Sequence, residues 1–405
     1  MKISNLKKIS LTTESSEKKV QLTCNVECKF CSSKTLWFEV DESRSSWLTD
    51  DVYDAFLVAA LYPAMYYKED IEICGNVTKR IFYNIVSNVT AIIKMYDSSF
   101  RVPEIKVGGF ASASKNETLH VGTGFSGGVD SFSTIYDHYV ITDDPDYKID
   151  TLFFFHIGQY GDVKLPETWE RAKNRYSITE NFAKEVNMHT CFMTTNLFDF
   201  YLPKWEFDAG VLCRIASVLV FQKALKRYYI CNDYSYGEMI DLGDVYRSGH
   251  MDLADMSNPY IMPLLSPERL EIVCDGMQYT RGDKIEKIAD DPLVARFLNV
   301  CIGKSTTKAI NCGICYKCLH TMLTFDIIGK LDNLKGVFDL SHYAKVCNEI
   351  KCQQVLLYGK EPYATSNIEL AKKYNYPMPT RTQAWLTLLP KRIIRKFQRN
   401  LGITK

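Results

Sequence analysis

The chain has 405 residues, of which 46% are hydrophobic and 24% charged, and a net charge of +1. That length allows two or three domains with sizeable cores, and the near-neutral balance excludes a global field directed at nucleic acid or a membrane. The opening "MKISNLKKISLTTESSEKK" lacks the apolar stretch of a secretory signal, and the longest apolar run, "AFLVAALYPAMYY", carries a proline and is too short to span a bilayer. A cytoplasmic protein without a membrane span is expected, its 14 cysteines being thiols or metal ligands rather than disulfides.

Residues 1–110 read as an α+β accessory domain. Strand patterns occur in "KVQLTCNVECKF", "KTLWFEV" and "DIEICG", and a helix pattern in "LTDDVYDAFLVAALYPAM". The stretch "CNVECKFC" has the C-x₃-C-x₂-C spacing of a radical SAM cluster. Its neighbours argue otherwise: Val20, Leu22, Cys24, Val26, Cys28 and Phe30 alternate with polar residues, as in a half-buried strand. Cys24 and Cys28 would then lie roughly 13 Å apart, at about 3.3 Å per residue. They could not share one cluster.

Residues 111–300 alternate strand and helix signals. "NETLHVGTGF", "DTLFFFHIG", "HTCFMTTNL" and "RYYIC" are apolar runs suited to buried strands. "PETWERAKNRYSITENFAKEVN" and "AGVLCRIASVLVFQKALK" have helical spacing. This alternation predicts an α/β fold with a parallel sheet and helices on both faces. Residues 301–405 are cysteine-rich and then helical.

"FSGGVDSF", residues 125–132, sits at the first strand-to-helix junction of this section. Gly127 and Gly128 would let the backbone approach phosphate oxygens, while Ser126 and Ser131 offer hydroxyls. No lysine follows the glycines, so this is not a Walker A loop. Asp130 would repel a bare phosphate and suits Mg²⁺. Asp130→Asn is therefore expected to abolish ATP turnover and leave the fold intact. Arg214, Arg247, Arg281 and Lys284 are candidate cations for developing phosphate charge. His156 and Gly158 follow the second strand, where a ligand of an open α/β sheet would sit.

The motif "SGGVDS" resembles the PP-loop of the ATP pyrophosphatase superfamily. The resemblance implies that Phe125, Ser126, Gly127, Gly128, Val129, Asp130 and Ser131 hold ATP. It also implies that pyrophosphate leaves as a substrate oxygen attacks the α phosphate, after which a nitrogen or sulfur nucleophile displaces AMP.

Further on, "CIGKSTTKAINCGICYKC" carries Cys301, Cys312, Cys315 and Cys318. Four thiolates with no open position make a structural Zn²⁺ site, an iron–sulfur cluster or unligated thiols being the alternatives. A PP-loop followed by this cysteine set resembles 7-cyano-7-deazaguanine synthase of queuosine biosynthesis, over about residues 118 to 320. "FHIGQY", "DYSYGE" and "PLLSPERLEIV" fall where that family has its Gly-Gln segment, its substrate loop and a Pro-Leu segment. The first hundred and last eighty residues have no counterpart in the short synthases, and the Cys301–Cys312 spacing is slightly long.

The resemblance implies an ATP-dependent ligase using ATP, Mg²⁺ and Zn²⁺. A 7-deazaguanine carboxylic acid would be adenylated and then attacked by ammonia or by the amine of a larger acceptor. Some relatives of these synthases act in bacterial anti-phage systems, so a protein acceptor belongs among the expected partners, and a homodimer stays open. One alternative is a tRNA or nucleobase sulfur transferase, which would need a persulfide carrier such as Cys191 or Cys213. Both lie in apolar runs that suit inert core thiols. Another is a non-catalytic nucleotide-binding module. The tail "LPKRIIRKFQRNLGITK" has an apolar helical face opposite Lys391, Arg392, Arg395, Lys396 and Arg399. It could dock on an acidic partner, RNA or lipid, or pack on its own domain.

Overall fold

The computed structural model describes the chain apart from residues 14–15, 33, 97, 112–118, 159–164, 202–209, 241–252, 302–309 and 401–405. Two compact units emerge. The first takes in residues 1–126, 137–232 and 242–275, the second residues 127–136, 233–241 and 276–405.

The first unit is an α/β layer structure around one ten-stranded mixed sheet. Its strands are β1 (Lys2–Thr12), β2 (Lys18–Glu27), β3 (Thr35–Asp41), β4 (Ile71–Val77), β5 (Ile105–Phe110), β6 (His120–Gly124), β7 (Thr151–His156), β8 (His189–Thr195), β9 (Leu225–Cys231) and β10 (Glu271–Asp275). They lie in the order β10-β9-β6-β7-β8-β3-β2-β1-β4-β5. The five strands from β10 to β8 are parallel to their neighbours. Pairing turns antiparallel across β8–β3, β3–β2 and β2–β1, then parallel again through β4 and β5. In the parallel half the chain runs outward from β6 in one direction, then restarts beside β6 in the other. This makes the C-terminal ends of β6 and β9 a topological switch point.

The expected division at residue 110 is not a division between sheets. β3 pairs directly with β8, Phe38 standing opposite Thr195. The N-terminal strands therefore continue the same sheet and share its core. Three strands escaped the sequence reading, β10 among them. In β1 the register shifts between Ser4 and Lys7, with Asn5 in a left-handed conformation at φ 58°, so the apolar residues do not keep period two. In β5, "IKVGGF" carries two glycines that weaken a strand signal.

The helix Asp54–Tyr67 is apolar on all sides and almost wholly buried, as befits a helix inside the core. It packs on the helix Gly210–Leu219, and Pro166–Val186 packs on β7 and β8. Asp54, at the start of the central helix, is itself buried. Its carboxyl accepts hydrogen bonds from the Thr78 N–H at 2.8 Å and from Gln222 Nε2 at 3.1 Å. Burial pushes its pKa up to about 6, with those two bonds acting against the rise.

The alternation in "KVQLTCNV" is real, since Val20, Leu22, Cys24 and Val26 are all buried. The strand ends at Glu27. Cys31 Sγ donates to the Asp199 carbonyl at 3.3 Å, and Cys24, Cys28 and Cys31 form no ion-holding group.

The second unit is helical among its described residues. After the glycine loop comes Val129–Ile135, followed later by Arg281–Ile288, Pro292–Phe297, Tyr316–Ile327, Ser341–Leu357, Pro362–Lys373 and Arg381–Asn400. Among the described residues no helix is long and apolar enough to cross a membrane.

Candidate metal centre and buried ion-pair cluster

Two polar constellations lie in the second unit. The first is built on the helix Arg281–Ile288. Thr280 caps it: its hydroxyl accepts from the Asp283 N–H at 3.3 Å, and the Asp283 carboxylate takes the Thr280 N–H at 2.9 Å. The cap fixes the first turn and puts Arg281 and Lys284, three residues apart, on one face. Both reach Asp130 in the first turn of Val129–Ile135. Arg281 Nη1 donates to Oδ2 at 2.7 Å and Lys284 Nζ to Oδ1 at 3.0 Å.

All three are largely shielded from water, with the Asp130 side chain 13% exposed. Burial alone would raise the Asp130 pKa, but Lys284 and then Arg281 outweigh it and hold the carboxyl well below the usual carboxylate range. A hydrogen bond with the Asp233 carboxyl works in the same direction. The cluster therefore pairs two acids with two bases. Gly276, at φ 79°, makes room for the lysine: a Cβ there would lie 3.3 Å from Lys284 Cε.

Arg281 also lies over the Tyr363 ring at 5.2 Å. Tyr363 stacks in turn on His320 at 5.3 Å. Burial, and then Arg281, press the His320 pKa down to about 3, so its ring is neutral. Asn367 Nδ2 lies 2.9 Å from His320 Nδ1 and can donate to it, and Thr324 donates to the Asn367 carbonyl oxygen at 2.7 Å.

The second constellation is the cysteine set. Sulfurs placed tetrahedrally about 2.3 Å from one zinc ion lie about 3.8 Å apart. Here Cys312 and Cys318 are 3.7 Å apart, Cys315 and Cys301 3.9 Å, and Cys315 and Cys318 3.3 Å. All four sulfurs fall within 4.8 Å of one another, so the group could hold a metal such as zinc. Among the described residues no other group of three or more His, Cys, Asp or Glu side chains converges in this way. The knuckle turns at Gly313, at φ 69°, where a Cβ would press on the Asp339 carbonyl at 3.0 Å.

Asn311 connects this centre to the glycine loop. It is buried and fully bonded. Its Oδ1 accepts from the Val300 and Cys301 N–H groups at 2.8 and 3.1 Å, and its Nδ2 donates to the Leu298 and Val337 carbonyls at 2.8 and 3.1 Å. The segment so fixed carries Asn299, whose N–H donates to the Gly127 carbonyl at 2.7 Å. Gly127 has φ 75°, and a Cβ on it would sit 3.1 Å from the Phe297 oxygen. The thiol centre thus braces the loop through one short segment.

Of the residues singled out in the sequence, the structure brings Asp130, Arg281, Lys284 and the four cysteines into these two constellations. Gly127 needs to be glycine, whereas Gly128 is extended, at φ −76° and ψ 170°, and has no such need. Val129 and Ser131 are buried. In the first unit Ser126 is exposed. Phe125 is a core residue stacked on Phe182 at 4.3 Å, its carbonyl held by Thr179 at 2.8 Å.

His156 is buried at the end of β7 against Trp169, and burial lowers its pKa to about 4. Gly158 follows at φ 106°. Arg214 Nε donates to the Gly210 carbonyl of its own helix at 3.3 Å. Arg247 lies outside the described residues.

Sequence reasoning missed Asp233, Gly276, Asn311 and Tyr363. The Thr280-x-x-Asp283 capping pattern was a readable sign that Arg281 and Lys284 share a face. Comparison with protein-family models, with curated proteins and with solved structures gave no match.

Proposed function

We propose that this chain is an ATP-dependent C–N ligase of the PP-loop kind. A carboxylate oxygen attacks the α phosphate of ATP, pyrophosphate leaves, and an amine then displaces AMP to give an amide; where the amine is ammonia, a second ATP would adenylate the amide oxygen, which leaves with AMP as two protons are lost to give the nitrile. The proposed acid is a 7-deazaguanine carboxylate. The proposed amine is ammonia or that of a protein acceptor, as in an anti-phage system. One observation carries the reading: the "SGGVDS" loop leaves β6 where the parallel strand order reverses, the place where open α/β sheets take their ligands.

The chain's own residues then have distinct parts. The exposed Ser126 hydroxyl would donate to a phosphate oxygen. Gly127 keeps the loop in its left-handed turn. Arg281 and Lys284 hold Asp130 ionised. Asp130 and Asp233 are the carboxyls that would hold Mg²⁺ together with phosphate oxygens, since this ion commonly takes one or two carboxylates. Bound there, the ion would neutralise phosphate charge. The thiol centre offers no open position, so its part is to brace the loop. Sulfur transfer is disfavoured because Cys191 and Cys213 are buried, and burial pushes both thiols far above their ordinary range.

The test is product analysis with the full chain, magnesium, α-labelled ATP and a panel of carboxylic acids that includes the 7-deazaguanine acid. Formation of AMP and pyrophosphate that depends on an acid supports the proposal. Release of ADP, or no turnover with any acid, overturns it. Ser126→Ala should slow turnover about tenfold or more without lowering the melting temperature, as loss of one hydrogen bond to a charged group would.

A further inference from the structure

The C-terminal helix Arg381–Asn400 packs on the second unit with the less apolar of its sides. Ala384 and Leu388 are buried against Cys352 of the helix Ser341–Leu357. Trp385, Leu386 and Ile393 remain 45%, 56% and 47% exposed. At 3.6 residues per turn, Trp385, Leu389, Ile393 and Leu386 fall within an arc of about 100°. Ala384 and Leu388 lie outside that arc, and so, by register, does Arg381. The helix therefore presents outward the apolar side that a helix packed only on its own domain would bury.

Charge decides what covers this side. From residue 381 onward the chain carries Arg381, Lys391, Arg392, Arg395, Lys396, Arg399 and Lys405 and no acid, although the whole chain has a net charge of only +1. Pairing the apolar sides of two copies would bring both runs of positive charge together and repel. An apolar arc with a tryptophan, on a segment whose sequence is basic and carries no acid, fits the boundary of an anionic bilayer, where the ring and aliphatic side chains enter the interface and basic residues favour anionic headgroups. We infer that this helix lies in the plane of an anionic phospholipid surface and holds the protein there peripherally. This inference is independent of the proposed ligase activity.

The test is flotation of the full-length protein with vesicles of phosphatidylcholine alone or with about one-third phosphatidylglycerol. The protein should float with the anionic vesicles only, and salt at about 0.5 M should release much of it, since screening at that strength reaches only a few ångströms. Leu386→Glu combined with Ile393→Glu should weaken binding at least about tenfold. These positions are exposed, so the far-UV circular dichroism should stay as in the wild type. As a second reading, brominated lipid should quench the fluorescence of the wild type and leave that of Trp385→Phe largely unquenched.

Failure to float with anionic vesicles overturns the inference, as does undiminished flotation of the double variant. Retention of RNA without vesicle binding, or a dimer that the double variant abolishes without vesicle binding, also overturns it.

Discussion

Asp54 and Asp130 are both aspartates withdrawn from water at the start of a helix, yet they titrate in opposite directions. Asp54, in the first unit, is held by an amide N–H and a glutamine. Neither brings charge, so burial wins and its pKa rises to about 6. Asp130, in the second unit, is held by a guanidinium and an ammonium, so charge wins and its carboxyl stays ionised. The contrast extends to the units themselves. The first is closed by a sheet and an apolar core, whereas the second adds to its apolar core ion pairs, a saturated asparagine and four thiols. A region built in the second way is specified by polar groups that fail when one partner is lost.

This contrast can be sharpened from its largest effect downward. Removing the metal should act on the second unit alone. Purified protein should contain about one zinc per chain. Chelation, or Cys315→Ser, should unfold that unit or leave the protein insoluble, because metal-binding free energy in such sites is folding free energy. Metal analysis and hydrogen exchange would check it, with protection lost in Tyr316–Ile327 and kept in β6–β9.

Next, Asp130→Ala should cost about 3–5 kcal/mol at pH 8 by urea melts, since it takes from two buried cations the carboxylate that both bond. Asp54→Asn should change stability by less than about 1 kcal/mol, or raise it, because it replaces an acid that burial disfavours when charged.

The pH dependence should separate the two further. Asp54 binds its proton more tightly folded than unfolded, where an aspartate has a pKa of about 3.9. Its contribution is therefore complete below about pH 4 and is lost as pH rises through about 6. The advantage of Asp54→Asn over the wild type should grow across that window. Asp130 has the opposite sign. Its contribution is present above about pH 4 and is lost as pH falls toward its depressed folded value, so the penalty of Asp130→Asn should shrink only in acid. Thermal melts of each variant from about pH 3 to 8 would read both trends. The loop gives a further, modest effect. Gly127→Ala should cost about 1–2 kcal/mol through its positive φ and its close approach to Phe297, while Gly128→Ala should cost less.

Much of this was legible in the sequence. Apolar runs such as "LFFFH" gave the parallel strands, because a strand covered on both faces needs no polar alternation. The cysteine centre could be read from spacing alone, since thiols so placed have few other uses. The ion-pair cluster was not legible, because Asp130 and Arg281 lie 151 residues apart and only the fold brings them together. The expectation that Asp130→Asn would spare the fold was made without the two cations that bond that carboxylate, and these argue for a loss of stability instead. Asn311 was missed because an asparagine beside a cysteine carries no pattern. That β3 joins β8 was not legible, because strand patterns on either side of residue 110 do not reveal which strands pair.

The pairing of β3 with β8 also has a consequence for synthesis. The β1–β3 meander leaves the ribosome before β8, and Trp37 and Thr195, which close its inner edge, are 158 residues apart. At about 5–20 residues per second, β3 waits roughly 10–30 s for its neighbour. Throughout that interval it is an open edge with apolar Leu36, Phe38 and Val40 on one face, a template for pairing with the wrong strand. Polysomes crowd many such edges together. Yield of the native protein should therefore depend on translation speed and on chaperones that cover nascent strands, more than its final stability would suggest.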